Sequence, residues 1–141
     1  MNSHNYRIRP YEKGDEPSIN KGFNETFHLK RPIDEWIWKY KPEENGSSIM
    51  VAVDEENHIF AHYAATLVNI SVYNKIYNCG QPVDVYSLKQ PGSVQHRLYL
   101  KTVREFFKTF GAKNKIQLLF GFPSARVLKL GQLKLDYGDP V

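Results

Sequence analysis

Between Val83 and Pro123 the chain reads strand, loop, helix, strand, and that order obliges two strands of one sheet to run parallel. Val83-Asp84-Val85-Tyr86-Ser87-Leu88 has the make-up of a strand. Lys89-Gln90-Pro91-Gly92-Ser93 is a loop by its turn residues. The helix that follows carries an apolar stripe of Tyr99, Val103, Phe106 and Phe110, with Phe107 alongside and Gly111 to stop it. Ile116 to Pro123 is then a strand closed by proline. A strand that rejoins its sheet through a helix does so by a right-handed crossover.

The residues upstream ask for the opposite pairing. Ser48 to Val53 reads as a buried strand, Asp54-Glu55-Glu56-Asn57 as a polar turn, and Ile59 to Val72 as a long strand. Asn74-Lys75 sits where a hairpin turns and Ile76-Tyr77 leads back, with Gly80 and Pro82 interrupting before the strand at Val83. Tyr6 to Tyr11 alternates and is a short first strand. Two helices lie between it and Ser48. Asp15 and Glu16 open the first, Pro17 fits its first turn, and Ile19, Phe23 and Phe27 recur one turn apart. Gly22 on that face costs about 1 kcal/mol of helix propensity. Pro32 begins the second, with Ile33, Trp36, Ile37 and Tyr40 on one stripe, Trp38 off it, and Pro42 and Asn45-Gly46 as its end. Near the C-terminus Ser124 can N-cap a short helix from Ala125 to Leu130, before Gly131, and Leu133 to Val141 reads as one more strand. The expected fold is α/β of the α+β kind. It is one domain over residues 1–141, with a mixed, mostly antiparallel sheet of about six strands flanked by helices.

Composition bounds the function. With 41% apolar and 13% aromatic residues the chain is a folded globule. It has no run of 18 apolar residues to span a bilayer, and its start lacks the features of a signal peptide. Cys79 is the only cysteine, so no intrachain disulfide forms and a reducing, cytoplasmic setting is expected. The five histidines, at 4, 28, 58, 62 and 96, show no paired spacing, so no metal site is expected. A net charge of +4 suits an anionic ligand such as a nucleotide or CoA. Arg97, Lys101, Arg104 and Lys108 share one helix face, but an amphipathic helix shows water a polar face anyway. A dedicated nucleic-acid binder would need more.

The order of one strand, two helices and a three-strand meander resembles the GNAT N-acetyltransferase family. The local sequence resembles a bacterial branch of it. There a W-x-W-K-Y-like helix, a G-H-Y-A-like strand and an F-G-F-P-N-like strand recur. Here they read Glu35-Trp36-Ile37-Trp38-Lys39-Tyr40, Ala61-His62-Tyr63-Ala64 and Phe120-Gly121-Phe122-Pro123, joined by Val83-Asp84-Val85 and Lys129-Leu130-Gly131. The resemblance runs from about Tyr6 to about Tyr137 and rests on the order and spacing of these pieces.

The resemblance implies acetyl-CoA as co-substrate, bound where the fourth and fifth strands splay. Pantetheine would pair with backbone within Asp84 to Leu88, chiefly Tyr86, Ser87 and Leu88. Pyrophosphate would rest on the loop and helix start formed by Gly92, Ser93, Val94 and Gln95, with Arg97 supplying charge. That loop has one glycine where the family has two small positions, and Pro91 removes an N–H donor. The segment Ser124 to Gly131 holds no tyrosine to act as general acid, and the family's final strand is missing. Asp84, at the splay, is the candidate general base, with His62 on the neighbouring strand as its companion.

The expected function is an acyl-CoA-dependent N-acyltransferase that moves an acetyl group to a primary amine of a small molecule or amino sugar. The alternative is a catalytically inactive GNAT-like module that binds a ligand or a protein. A sheet without its last strand also leaves an edge at which a homodimer could form.

Overall fold

The computed structural model describes residues 5–41, 48–111 and 116–138. Its elements are β1 (Arg7–Pro10), α1 (Glu16–Phe27), α2 (Ile33–Tyr40), β2 (Ser48–Val53), β3 (Ile59–Val72), β4 (Lys75–Ser87), α3 (Val94–Phe106), β5 (Leu118–Leu119) and α4 (Ala125–Lys134). They build one sheet in the order β1-β2-β3-β4-β5. Every neighbouring pair is antiparallel except β4 and β5, the parallel pair that the crossover through α3 demands.

Alternation along the strands gives the sheet two apolar faces. Ile49, Val51 and Val53 of β2 pack with Ala64 and Tyr86 against Ile19 of α1 and Trp36 and Tyr40 of α2. Met50, Tyr63 and Ala65 point the other way, against Leu100, Val103, Phe106 and Phe110. All six residues of β2 are buried, as a central strand covered on both faces must be. Burying side chains of this size stabilises the fold by about 1.5–3 kcal/mol each. Among the described residues, no helix is long and apolar enough to cross a membrane.

Several boundaries differ from expectation for identifiable reasons. Gly80 and Pro82 do not interrupt the chain, because β4 is one strand from Lys75 to Ser87. At Gly80 a Cβ would come within 2.9 Å of Leu119 and 3.2 Å of Ala65, so the glycine serves close packing between β3 and β5. Beyond Gly80, β5 no longer pairs with β4, and such a free edge is where a strand tolerates proline. The strand expected over Ile116 to Pro123 shrinks to Leu118–Leu119. The helix α3 continues past Phe106 in a π-helical turn, Phe107–Gly111, that keeps Phe106 and Phe110 in contact at 5.1 Å between ring centres. Helix α4 runs through Gly131 to Lys134, since the ring of Tyr137 occupies the space a side chain at Gly131 would need. Ser124 does cap it, accepting a hydrogen bond from the Val127 N–H. No strand follows α4 among the described residues, so five strands replace the expected six. The stop signals at Pro42 and Asn45-Gly46 lie outside the described residues. The last turn of α2 closes at Lys41, whose φ of 40° is left-handed and whose N–H bonds to Ile37 O.

Gly22 has the same logic as Gly131. The Tyr86 ring lies across α1 there, and an added Cβ would meet the Tyr86 hydroxyl at 2.5 Å. The propensity that glycine forfeits is therefore the condition for Tyr86 to sit against the helix. Gly22→Ala should gain about 1 kcal/mol of helix propensity and lose more to overpacking, a net destabilisation of about 1–2 kcal/mol. Urea denaturation at pH 7 checks it, and an alanine variant as stable as the parent would contradict this packing.

Candidate functional site

The register of β3 against β4 slips once. Ala64 lies opposite Val83 and His62 opposite Tyr86, so two steps along β3 match three along β4. The extra residue makes a β-bulge, and within it Asp84 adopts φ 51°, a left-handed value that aspartate tolerates better than most side chains. Below the bulge β4 still pairs with β5, through Cys79 with Leu118 and Gly80 with Leu119, and Phe120 N–H reaches Gly80 O at 3.1 Å. Beyond Gly80, before the bulge is reached, the two strands part. From Val83 to Ser87 the β5-side edge of β4 has no strand partner among the described residues.

At the bulge, the Asp84 side chain turns toward α1 and α2. Its carboxylate accepts from Arg31 Nη1 at 2.6 Å, Lys39 Nζ at 2.7 Å and the Tyr40 hydroxyl at 2.7 Å. Only 6% of the Asp84 side chain is exposed, against 9% of Arg31 and 31% of Lys39. Burial alone would raise its pKa. The bonds from Lys39, Arg31 and Tyr40 outweigh that and hold the carboxyl below its ordinary value. As a general base, Asp84 therefore offers a carboxylate already committed to three donors. Sequence reasoning did not find this clamp. Tyr40 was visible only as part of an apolar stripe, and nothing in the sequence marks Arg31, which sits just before Pro32.

His62, 1% exposed, stands beside it. Its Nδ1–H donates to the Asp84 backbone oxygen at 2.8 Å, which leaves Nε2 as the lone-pair nitrogen, without a hydrogen-bond partner. The ring stacks on Tyr86 at 5.3 Å and 14°. Burial pushes its pKa down to about 4, more than the pull of Asp84 restores, so the imidazole is neutral at pH 7. Tyr86 is itself turned inward, and its hydroxyl donates to Ile19 O at 2.9 Å. Tyr63, on the opposite face, packs in the core against Phe106.

The expected cofactor residues gather at the upper end of β4. Tyr86 and Ser87 lie opposite His62 and Ala61 of β3, and Leu88 N–H bonds to Phe60 O at 2.8 Å. One strand edge is thus occupied and the other faces the opening. Ser87 and Gln95 are bonded reciprocally. The Ser87 hydroxyl donates to Gln95 O at 3.2 Å, and Gln95 Nε2 donates to Ser87 O at 2.8 Å, which pins the start of α3 to the end of β4. Gly92 has φ 61° and Ser93 follows at φ −88°, ψ 4°. A left-handed residue followed by one near the right-handed region turns successive N–H groups to one concave side, the geometry of an anion nest. The N-cap side chain makes no hydrogen bond, and the first turn of α3, which includes Val94, contains no acidic residue. Arg97 is exposed in that turn, its N–H bonded to Ser93 O at 3.1 Å. The arrangement can accept an anion at the helix start and an extended chain along β4. Among the described residues, no three His, Cys, Asp or Glu side chains gather to hold a metal.

In sequence, the chain matches no family model and no curated protein. In shape it is similar to several solved acetyltransferases. Glucosamine-6-phosphate N-acetyltransferase from Arabidopsis thaliana superposes with a TM-score of 0.74 at 12% identity, over 97% of this chain and 95% of the other. A predicted acetyltransferase from Clostridium acetobutylicum, solved with acetyl-CoA, gives 0.72 at 16% identity, over 96% and 92%. An aminoglycoside acetyltransferase from an uncultured soil metagenomic sample, in complex with sisomicin, gives 0.65 at 15% identity, over 96% and 91%.

Proposed function

We propose that this chain, which has the fold of the GNAT N-acetyltransferases, is an acyl-CoA-dependent N-acyltransferase acting on a primary amine of a small molecule. The observation that carries the reading is the parting of β4 from β5 beyond Gly80, which frees the bulged end of β4 beside the Gly92-Ser93 nest and the uncapped start of α3. An extended acyl-CoA fits this combination. Its amide arm would lie along the free edge of Tyr86, Ser87 and Leu88, and its pyrophosphate would lie on the nest. Gln95 would hold the loop to the strand, and Arg97 would add positive charge. In the transfer, the amine nitrogen attacks the thioester carbonyl carbon. A C–N bond forms, the C–S bond breaks, and the proton shed by the amine balances the one taken up by the CoA thiolate. Asp84 and His62 stand at the bulge, and of the two His62 keeps an unused lone pair. Neither is a strong base at neutral pH, so most of the acceleration would come from holding amine and thioester together.

Calorimetric titration with acetyl-CoA tests the reading. One-site binding at micromolar affinity is expected. In Gly92→Val, where a β-branched residue must take a left-handed φ, it should weaken about tenfold or more. Absence of binding at millimolar acetyl-CoA would rule the reading out. A second reading, a binding module without catalysis, is favoured by the commitment of Asp84 to three donors and by the low pKa of His62. Acetyl-CoA binding without transfer to any of a broad panel of amines would select it.

A further inference from the structure

A second concavity opens beside the bulge, between the end of α1 and the start of α2. It is about 590 Å³ in volume, a size suited to a small molecule, and Phe23, Lys30, Arg31, Glu35, Trp38 and Lys39 are on its wall. Two of these residues, Arg31 and Lys39, are the cations that hold Asp84, so the groove abuts the bulge in β4.

Its chemistry is that of an anion site with an aromatic rim. Lys30, Arg31 and Lys39 face a single acidic wall residue, Glu35. With the Asp84 carboxylate bound behind them, one positive charge remains in excess. The Arg31 guanidinium lies 3.6 Å above the Phe23 ring. Its Nε donates to Asn20 Oδ1 and its Nη1 to Asp84, but Nη2 is buried with no hydrogen-bond partner. An unmet guanidinium N–H in a protein interior is costly, and an oxyanion is its natural complement. The start of α2 also borders the groove: its N-cap Pro32 has no side chain able to cap, while Asp34 and Glu35 in its first turn offset part of the positive helix end. Trp38 is 74% exposed on the rim and offers a flat apolar ledge.

We infer that this groove holds the acceptor, and that the acceptor is a primary amine bearing a phosphate or comparable anionic group, of about the size of a sugar. The inference rests on the acyltransferase reading for the word acceptor, but not for the binding itself. Phosphate oxygens take Lys30 and Lys39, with the Arg31 guanidinium charge behind them, and the ring of the ligand lies against Trp38. Polycationic acceptors such as aminoglycosides are disfavoured by the same charges.

Calorimetry without any CoA compound, at low salt, tests this with four probes: glucosamine 6-phosphate, glucosamine, sisomicin and inorganic phosphate. The sugar phosphate is expected to bind at least tenfold tighter than glucosamine, and to weaken as salt is added. Two exposed substitutions that leave the Asp84 clamp intact should move it in opposite directions. Lys30→Glu should weaken the sugar phosphate roughly three- to tenfold and Glu35→Gln should tighten it, with glucosamine little changed in both. Equal binding of glucosamine and its phosphate, tighter binding of sisomicin, or binding of none of the four would overturn the assignment. Inorganic phosphate as tight as the sugar phosphate would overturn the acceptor and leave an anion hole. Because CoA is absent, failure here leaves the acetyl-CoA titration to stand or fall alone.

Discussion

Asp84→Asn is expected to lower stability by about 3 kcal/mol and to lower Tm by about 10 °C. Asparagine matches aspartate in size and tolerates the left-handed φ of the bulge, so the substitution removes the charge and sets an amide NH2 donor against one of the three donors. What remains is Arg31, 9% exposed, and Lys39, 31% exposed, converging on a neutral amide. Deleting one partner of a buried ion pair costs about 3–5 kcal/mol, and the partial exposure of Lys39 puts this case at the lower end. The pH dependence follows from the same contacts. The folded carboxyl has a pKa below its unfolded value, so its contribution is present above that unfolded value of 3.8. It is lost as pH falls through the folded value, below about pH 4. Urea denaturation at pH 7 of Asp84→Asn, Lys39→Met and the double variant measures the coupling. Removal of Lys39 should give back part of the loss. An Asp84→Asn protein within 0.5 kcal/mol of the parent would mean that the three contacts contribute nothing net.

His62 should produce a second acid transition, separated from the first. Its folded pKa is about 4 and its unfolded value 6.5, so the unfolded chain binds a proton through that interval while the folded chain does not. Stability is therefore full above about pH 6.5 and declines as pH falls toward 4, with a slope of about 1.4 kcal/mol per unit and a total of about 3 kcal/mol. The groups around the ring all act to keep it neutral or fail to prevent it. Tyr86 and Tyr40 bury it, Arg31 and Lys39 repel its charge, and the backbone oxygen of Asp84 only partly compensates. His62→Asn keeps a donor where Nδ1 stood and cannot titrate. Denaturation midpoints at pH 7.5, 6.5, 5.5 and 4.5 should fall steeply for the parent and much less for the variant. Equal slopes would show that the proton goes elsewhere.

How much of this was legible in the sequence differs between fold and site. The period of Ile19, Phe23 and Phe27 gave α1, the buried run gave β2 from Ser48 to Val53, and the long β-branched stretch gave β3 from Ile59 to Val72. These signals are local and repeat along one element. The bulge is not of that kind, since a single extra residue shifts the phase of β4 without any change in composition. With it went the continuity of β4 through Gly80 and Pro82, and the fact that the adjacent Val83 and Asp84 both turn toward α1 and α2. The site was legible as a set of positions and not as contacts. Asp84 and His62 are neighbours as expected, but the partners of Asp84 lie 53 and 45 residues away, on a loop and on a helix face whose period reported only burial. The Gln95 side chain that ties the loop to Ser87 is equally invisible, because no spacing rule links a strand end to a side chain in the first turn of the next helix.

The two walls of the opening are not equally secured. β4 is zipped to β3 at eleven paired positions, whereas β5 meets it at two, helped by the Gln117 and Phe120 contacts and by a patch of side chains around Leu135 and Tyr137. Local opening costs least where backbone bonds are few. The wall formed by β5 is thus the less firmly held jaw, set against a fixed anvil. Anything lodged between them would bind to one wall and clasp the other, so a ligand here would act as a missing rung of the sheet as well as a reactant.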